Sequence, residues 1–283
     1  MTLMIEHCPI GCDSTIEKSD ISLSEGRLRR CSACGHLFSA CTLERYEQSM
    51  QEFDREQGTF IAPENLQRQK KYIGRLLQNG VKQLHHSSSR ISMLDVGCSS
   101  GSMLRIAKDM GFDVHGVEPA PKAAATASKQ GFDVFCGFLH EAKFPAESFD
   151  FVSLFEVIEH LQHPLELAKE VHRILRPGGV WLIGTGNVDS WTVSFEKETW
   201  DYFNIASHGG HISFFTPGSM RLLAKRSDFE VAQLETRRVR LIEKSHAKPL
   251  AYQASKLVRE LLEIPARFLE KGHDLQVVLR KQG

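Results

Sequence analysis

Three groups of residues have the types and spacing to do chemistry. Glu156, Glu159 and His160 stand at i, i+3 and i+4 in FEVIEH, so a helical segment would put two carboxylates and an imidazole on one face. Such a set can take a proton from a hydroxyl or hold a divalent ion such as Mg²⁺. His211, ahead of the aromatic run HISFF, offers a second imidazole base or ligand. The loop LDVGCSSG carries Asp95, Gly97, Ser99 and Gly101 where an apolar run gives way to helical spacing. Glycines at such a turn let backbone amides approach a ligand closely. Near the start, Cys8 and Cys12 form one close pair and Cys31 and Cys34 a second, the latter followed by Gly35. Four thiolates at this spacing would hold zinc tetrahedrally and fold a small segment around it, with His7 and His36 as substitute ligands.

The elements that must position these groups follow from periodicity. Residues 1–45 read as a small zinc-ribbon-like module. Residues 46–89 read as a helical linker, with Leu66, Ile73, Leu76, Leu77 and Val81 at helical spacing and a connector at His85–Ser89. From residue 90 to 283, short apolar runs alternate with helical stretches: ISMLDVG, SGSMLRIAKDMG, DVHGVEP, PKAAATASKQG, DVFCG, SFDFVSLFEV, a helix after Pro164, then GGVWLIGTG. That alternation predicts an α/β fold, doubly wound and Rossmann-like, with a mostly parallel sheet. Thr216 and Pro217 mark a helix start, FEVAQLETRRVRL and DLQVVLRK read as strands, and 249–270 carries one apolar helical stripe (Leu250, Ala254, Leu257, Val258, Leu261, Leu262) that packs on the domain or a partner.

Composition narrows the function classes. The chain has 283 residues, 41% of them hydrophobic, with Lys plus Arg and Asp plus Glu at 35 each. That is an ordinary soluble composition, and zero formal charge argues against bulk binding to DNA and ranks RNA below small molecules. No apolar run reaches the roughly 18 residues of a membrane span, and the N-terminus lacks a signal-peptide pattern, so a cytoplasmic setting is expected. The seven cysteines are then more readily metal ligands or free thiols than disulfides, with Cys41, Cys98 and Cys136 outside the two pairs.

The glycine loop can be read in three ways. A dinucleotide site wants G-x-G-x-x-G, and the third glycine is missing. The same letters spell the nucleophile elbow G-x-S-x-G, but that turn belongs after several strands, and none of this domain precedes residue 91. The third is carried by a longer resemblance. LDVGCSSG, HGVEP, SFDFVSLFEVIEHLQHP and VHRILRPGGVWLIGTGN together resemble the class I SAM-dependent methyltransferases over residues 91–187, and HISFFTP fits the same group. The cysteine pairs resemble a subgroup with a small zinc-binding module.

That resemblance implies S-adenosylmethionine as cofactor, a seven-stranded sheet, and roles for particular residues. Glu118, about 20 residues past the loop, would accept hydrogen bonds from both ribose hydroxyls. Gly97 and Gly101 would let the methionine part lie against the backbone, with Asp95 orienting the loop. Ser99, Pro119 and Phe155 would flank the cofactor, and Phe138 and Leu139 would lie by the adenine. E-x-x-E-H is similar to the spacing in ubiquinone-pathway O-methyltransferases and in small-RNA 2′-O-methyltransferases, and there implies a divalent ion on Glu156, Glu159, His160 and His211. Trp191, Trp200, Tyr202 and Phe203 fall where this family builds its acceptor pocket. The expected reaction is methyl transfer to a hydroxyl of a small molecule. RNA 2′-O-methylation and a non-catalytic SAM-binding or ribbon-mediated adaptor remain alternatives.

Overall fold

The computed structural model describes residues 3–56, 63–85, 90–205, 210–241 and 249–283. Its elements run β1 Ile16–Leu23, β2 Gly26–Cys31, β3 Leu37–Phe38, α1 Leu43–Glu56, α2 Pro63–Val81, β4 Ser92–Val96, α3 Ser102–Asp109, β5 Asp113–Glu118, α4 Pro121–Lys129, β6 Asp133–Cys136 and β7 Phe149–Phe155. They continue through α5 Pro164–Ile174, β8 Leu175–Gly186, α6 Trp191–Glu196, β9 Ser213–Phe214, α7 Pro217–Arg226, β10 Phe229–Arg237, α8 Pro249–Phe268 and β11 Asp274–Lys281.

Seven strands form one sheet in the order β10-β11-β8-β7-β4-β5-β6. The pairs from β8 to β6 are parallel, whereas β10 and β11 pair antiparallel to each other and β11 to β8. Strands buried on both faces explain why β4 and β7 are apolar apart from Ser92, Asp95, Asp150 and Ser153. Alternate residues go to opposite layers. Met93, Phe151, Val180 and Leu182 pack with Ile73, Leu76 and Leu77 of α2 and with Ile106 of α3. Leu94, Val152, Trp181 and Ile183 pack with Val171 of α5 and with Met220 and Leu223 of α7. The strand order reverses between β7 and β4, so a crevice opens at their carboxyl ends, where the glycine loop and the E-x-x-E-H segment begin.

A second, four-stranded sheet has the order β1-β2-β3-β9. Its last strand comes from residues 213–214, so the cysteine-bearing segment is tied to the far end of the chain through Leu37↔Phe214 and Phe38↔Ser213. Cys8, Ile10, Cys12 and Cys31 are buried with Phe215, Met220 and Leu223 in the main core.

One expectation changes and another narrows. FEVIEH is not an α-helix: Glu156 stands at φ 53°, followed by a single 3-10 turn over Ile158–His160. The α8 stripe, expected against the domain or a partner, is narrowed toward the second by its described outer residues, since Val258 is 43% and Leu261 71% exposed. The helix attaches through Ala266, whose carbonyl accepts from Thr236, and through Arg267 on Glu235. Leu66, Leu250, Ala254 and Leu257 lie outside the described side chains, and the connector at 86–89 lies outside the described residues. No described helix is long and apolar enough to cross a membrane.

Candidate active site

The loop after β4 is held by its own backbone and by one carboxylate. Gly97 and Cys98 N–H both donate to the Val117 carbonyl, and Gly101 N–H donates to Cys98. Gly97 sits at φ 76°, and a Cβ there would come within 2.4 Å of Val157. A side chain would therefore push the loop off the E-x-x-E-H segment. At Gly101 the added carbon would meet the Phe132 ring at 2.9 Å, so this glycine serves packing of the helix start as well as ligand approach.

Glu118 ends β5 and turns its carboxylate into the loop. One oxygen accepts Ser99 N–H at 2.8 Å and the other accepts Ala120 N–H at 2.8 Å. A carboxylate has about four acceptor positions, so each oxygen keeps capacity for a hydroxyl donor. Asp95 is buried beneath, accepts from the Ser153 hydroxyl at 2.5 Å, and is pushed up to about 7 by burial against that bond's opposite pull. The loop after β6 brings Phe138, 56% exposed, to the surface and holds its N–H on Glu141 at 2.7 Å. Leu139 is instead a core residue, 4% exposed. Pro119 follows Glu118 directly, and the Phe155 ring lies over Gly184 of β8.

Across the crevice, Glu159, His160 and His211 bring ligand atoms within 4.8 Å of one another. Glu159 is 1% exposed; its Oε2 accepts from Thr185 Oγ1 at 2.9 Å, while Oε1 has no hydrogen-bond partner among the described residues. His211 Nε2 stands 3.8 Å from that oxygen. The other nitrogen, Nδ1, is 3.0 Å from the Tyr202 carbonyl, which can only accept, so Nδ1 carries the proton and Nε2 presents a lone pair. The His160 and His211 rings meet edge to face at 4.6 Å. Burial raises Glu159 to about 7, against the hydrogen bonds that favour its charged form.

Glu156 is brought to the same place by its left-handed backbone, not by helical spacing. Its N–H donates to the Gly184 carbonyl and its carboxylate accepts from the Tyr202 hydroxyl. The group is water-accessible at the mouth yet hemmed in by protein. That desolvation first, then the charges of Glu159 and Asp274, pushes it well above the usual carboxylate range. Trp200 stacks on Tyr202 at 4.9 Å and Tyr202 meets His211 at 4.6 Å. Of the aromatics expected in a pocket, Trp200 and Phe203 are buried packing, and Tyr202 is the one that reaches the acids. Among the residues the sequence did not flag are Thr185 on Glu159 and His273, whose Nδ1 accepts from Trp200 at 3.4 Å. Only three-dimensional adjacency reveals them.

The four cysteines also converge. Cys8, Cys12, Cys31 and Cys34 place their sulfurs within 4.8 Å of one another, with Cys8 and Cys34 at 3.6 Å. Zinc–sulfur bonds of about 2.3 Å set tetrahedral sulfurs about 3.8 Å apart, so the spacing fits that ion. Both pairs close as turns, with Gly11 N–H on Cys8 and Gly35 N–H on Cys31. The longer first pair is thus accommodated by its extra residue. Cys8 is pulled down to about 5, chiefly by the Cys34 thiol facing it.

Comparison with known proteins agrees with this layout. A family described as "Methyltransferase domain" matches residues 65–234, more than half of the chain. A ubiquinone biosynthesis O-methyltransferase of Caulobacter vibrioides is 32% identical over 104 residues, 34% of this chain and 41% of that protein. A 2-methyl-6-phytyl-1,4-hydroquinone methyltransferase of Synechocystis is 35% identical over 102 residues, 34% of this chain and 32% of that one. The chain therefore matches less than half the length of these relatives. A crystal structure of a SAM-dependent methyltransferase from Archaeoglobus fulgidus superposes with a TM-score of 0.54 at 18% identity, covering 75% of this chain and 94% of that one. Its likeness is one of fold. With the parallel sheet, the loop after β4 and the carboxylate ending β5 in place, the chain belongs to the class I SAM-dependent methyltransferases.

Proposed function

We propose that the protein transfers a methyl group to a hydroxyl of a small molecule, with the acceptor seated between the loop after β4 and the Glu159–His160–His211 cluster. The observation that carries this reading is the cluster itself: a buried carboxylate oxygen without a hydrogen-bond partner among the described residues, faced by an imidazole lone pair, beside the loop. An amine or carbon acceptor would have less need of such a group, whereas a hydroxyl must lose its proton.

When bound, SAM supplies an activated methyl on its sulfonium sulfur. Glu118 would accept the ribose hydroxyls on its remaining lone pairs, Asp95 and Ser99 would hold the loop to shape, and Phe138 would cover the adenine. His211, its tautomer fixed by Tyr202, would receive the acceptor proton at Nε2, while Glu156 and Tyr202 would orient the hydroxyl for in-line attack. In a metal-assisted alternative, Glu159, His160 and His211 would hold a divalent ion such as Mg²⁺, which would make the acceptor hydroxyl more acidic, and His211 Nε2 would then be a ligand instead of the base. Glu159 Oε1 fits that role because it has no hydrogen-bond partner among the described residues.

The cysteine cluster would hold zinc as a structural ion within a module of residues 1–45, followed by a helical linker 46–89 and the methyltransferase domain 90–283. A cytoplasmic, reducing setting suits four free thiols so close together. Supporting the choice of acceptor are the relatives' names, both of which concern quinone-type rings, and the Tyr202 ring beside the acids, braced from behind by buried Trp200, which suits a planar ring.

The test is a calorimetric titration with SAM followed by a labelled-methyl screen of hydroxylated aromatics, with and without EDTA. Saturable SAM binding and incorporation into a phenolic hydroxyl are expected. No SAM binding, or label appearing in RNA alone, would overturn the reading.

A further inference from the structure

The cysteine segment does more than sit beside the acceptor side, and one buried residue makes the connection. His36 lies two residues past Cys34, is fully buried, and reaches across to the far end of the chain. Its Nε2 is 2.9 Å from the Ser213 hydroxyl and its Nδ1 3.3 Å from the Ser219 hydroxyl. Ser213 belongs to β9, two residues after His211. Ser219 is the capping-box residue at the start of α7. The Phe215 ring packs edge-on against His36 at 4.7 Å.

The same connection is reinforced by backbone. β3 pairs with β9, and Ser39 N–H donates to Ile212 at 2.8 Å. From the other side, Ile212 N–H donates to the Glu159 carbonyl at 2.9 Å. Tyr46 completes the frame, its hydroxyl donating to the His160 carbonyl at 3.1 Å. His36 is itself fixed by the cysteine turn, since its carbonyl accepts Cys31 N–H at 3.0 Å. A continuous path therefore runs from the second cysteine pair through His36 and Ser213 to Ile212, and from there to His211 and Glu159.

We propose that His36 is a positioning residue for the acceptor side: by holding Ser213 and Ser219 it sets the 211–216 segment, and so aims His211 at Glu159. The inference rests on the reading above only in taking His211 as the working imidazole. It makes the N-terminal segment an integral wall of the site instead of a detachable adaptor. A bland core histidine would need one partner for each nitrogen, and any local pair would serve. Here both partners come from the single stretch that follows His211, some 180 residues away in sequence.

The test uses the full chain with ¹³C-labelled histidine rings, in the native form and as His36→Leu, His36→Gln and Ser213→Ala. The His211 and His160 resonances are identified from His211→Gln and His160→Gln. His36→Leu is expected to move the His211 resonance and to speed hydrogen exchange at the Ile212 amide by about tenfold or more. His36→Gln, whose amide has both a donor and an acceptor, should restore much of the native pattern. Ser213→Ala should shift the same signals in the same sense, more weakly. SAM affinity should stay within about twofold throughout, because the cofactor loop takes no part in the path. Should His36→Leu fail to fold, Ser213→Ala decides alone. A native His211 resonance and native Ile212 exchange in the folded variants would overturn the proposal, as would a glutamine variant no better than leucine. Failure of the native chain to bind SAM would strike the functional reading and leave this one standing, since neither measurement needs cofactor.

Discussion

On the proposed cofactor side, the groups come from one stretch, residues 95–141, and from the strand ends that stretch builds: Asp95, the loop to Gly101, Glu118 on the next strand, Phe138 after the third. On the proposed acceptor side, Glu159 and His160 follow β7, Thr185 lies in β8, Tyr202 and His211 come later, and their supports reach back to His36 and Tyr46. The first is a supersecondary unit that any strand–turn–helix of this kind assembles locally. The second exists only once distant segments have met. The contrast suggests that ligand donors can change on the acceptor side while the cofactor side keeps its geometry, and mutations can test that separation.

The largest effect should follow Cys31→Ser. Removing one of four thiolates is expected to lower the bound zinc from about one per chain to near none, measured by elemental analysis, and to destabilise the fold by several kcal/mol. Exchange should rise in 210–216 more than in 95–120. A uniform rise across both stretches would break the comparison.

Next comes Glu118→Ala. This carboxylate satisfies Ser99 and Ala120 N–H and is proposed to bind the ribose, so its loss removes several charge-assisted bonds of about 1.5–3 kcal/mol each. SAM affinity should fall by about 100-fold or more in calorimetry. His211→Ala is the mirror image: turnover of a phenolic acceptor should drop about 100-fold, within the usual range for a general base, with SAM binding unchanged. A His211 variant that loses SAM binding, or a Glu118 variant that keeps it, would show the two sides to be one unit.

The same contrast explains what could be read from the sequence. Short-range order made the sheet, the capped start of α7 at Thr216 and the path from Asp95 to Glu118 legible, because strand and helix periodicity and turn chemistry are local. E-x-x-E-H was legible as a set but not as a shape. Helical spacing predicts one shared face, whereas the chain turns sharply at Glu156 and reaches the cluster through a left-handed residue. Nothing in the residue order around His36, Thr185 or His273 shows their partners, which lie tens to hundreds of positions away. The α8 stripe has the right period for burial but faces outward at Val258 and Leu261, because periodicity tells that a helix has an apolar face and not what covers it.

The smallest expected change carries the most specific sign. Burial disfavours the charge of Glu159 and pushes its carboxyl up from the ordinary 4.5 to about 7 in the folded chain. The folded state therefore holds this proton more tightly than the unfolded one, and its contribution to stability is lost as pH rises from about 4.5 to about 7. Above that window the buried charge costs at most about 3 kcal/mol. Glu159→Gln keeps an amide oxygen for Thr185 and removes the charge. Near pH 8 it should unfold at higher temperature than the native chain, and near pH 4 the two should coincide. Mg²⁺ should then raise the native melting point near pH 8 and leave the variant unmoved, since a cation on Oε1 relieves the same cost. Parallel pH profiles for the two chains would show that Glu159 is not the buried charge of the acceptor side. A Mg²⁺ response kept by the glutamine variant would move the ion to other ligands. Either result would leave the cofactor side as described and require the acceptor side to be rebuilt around His211 alone.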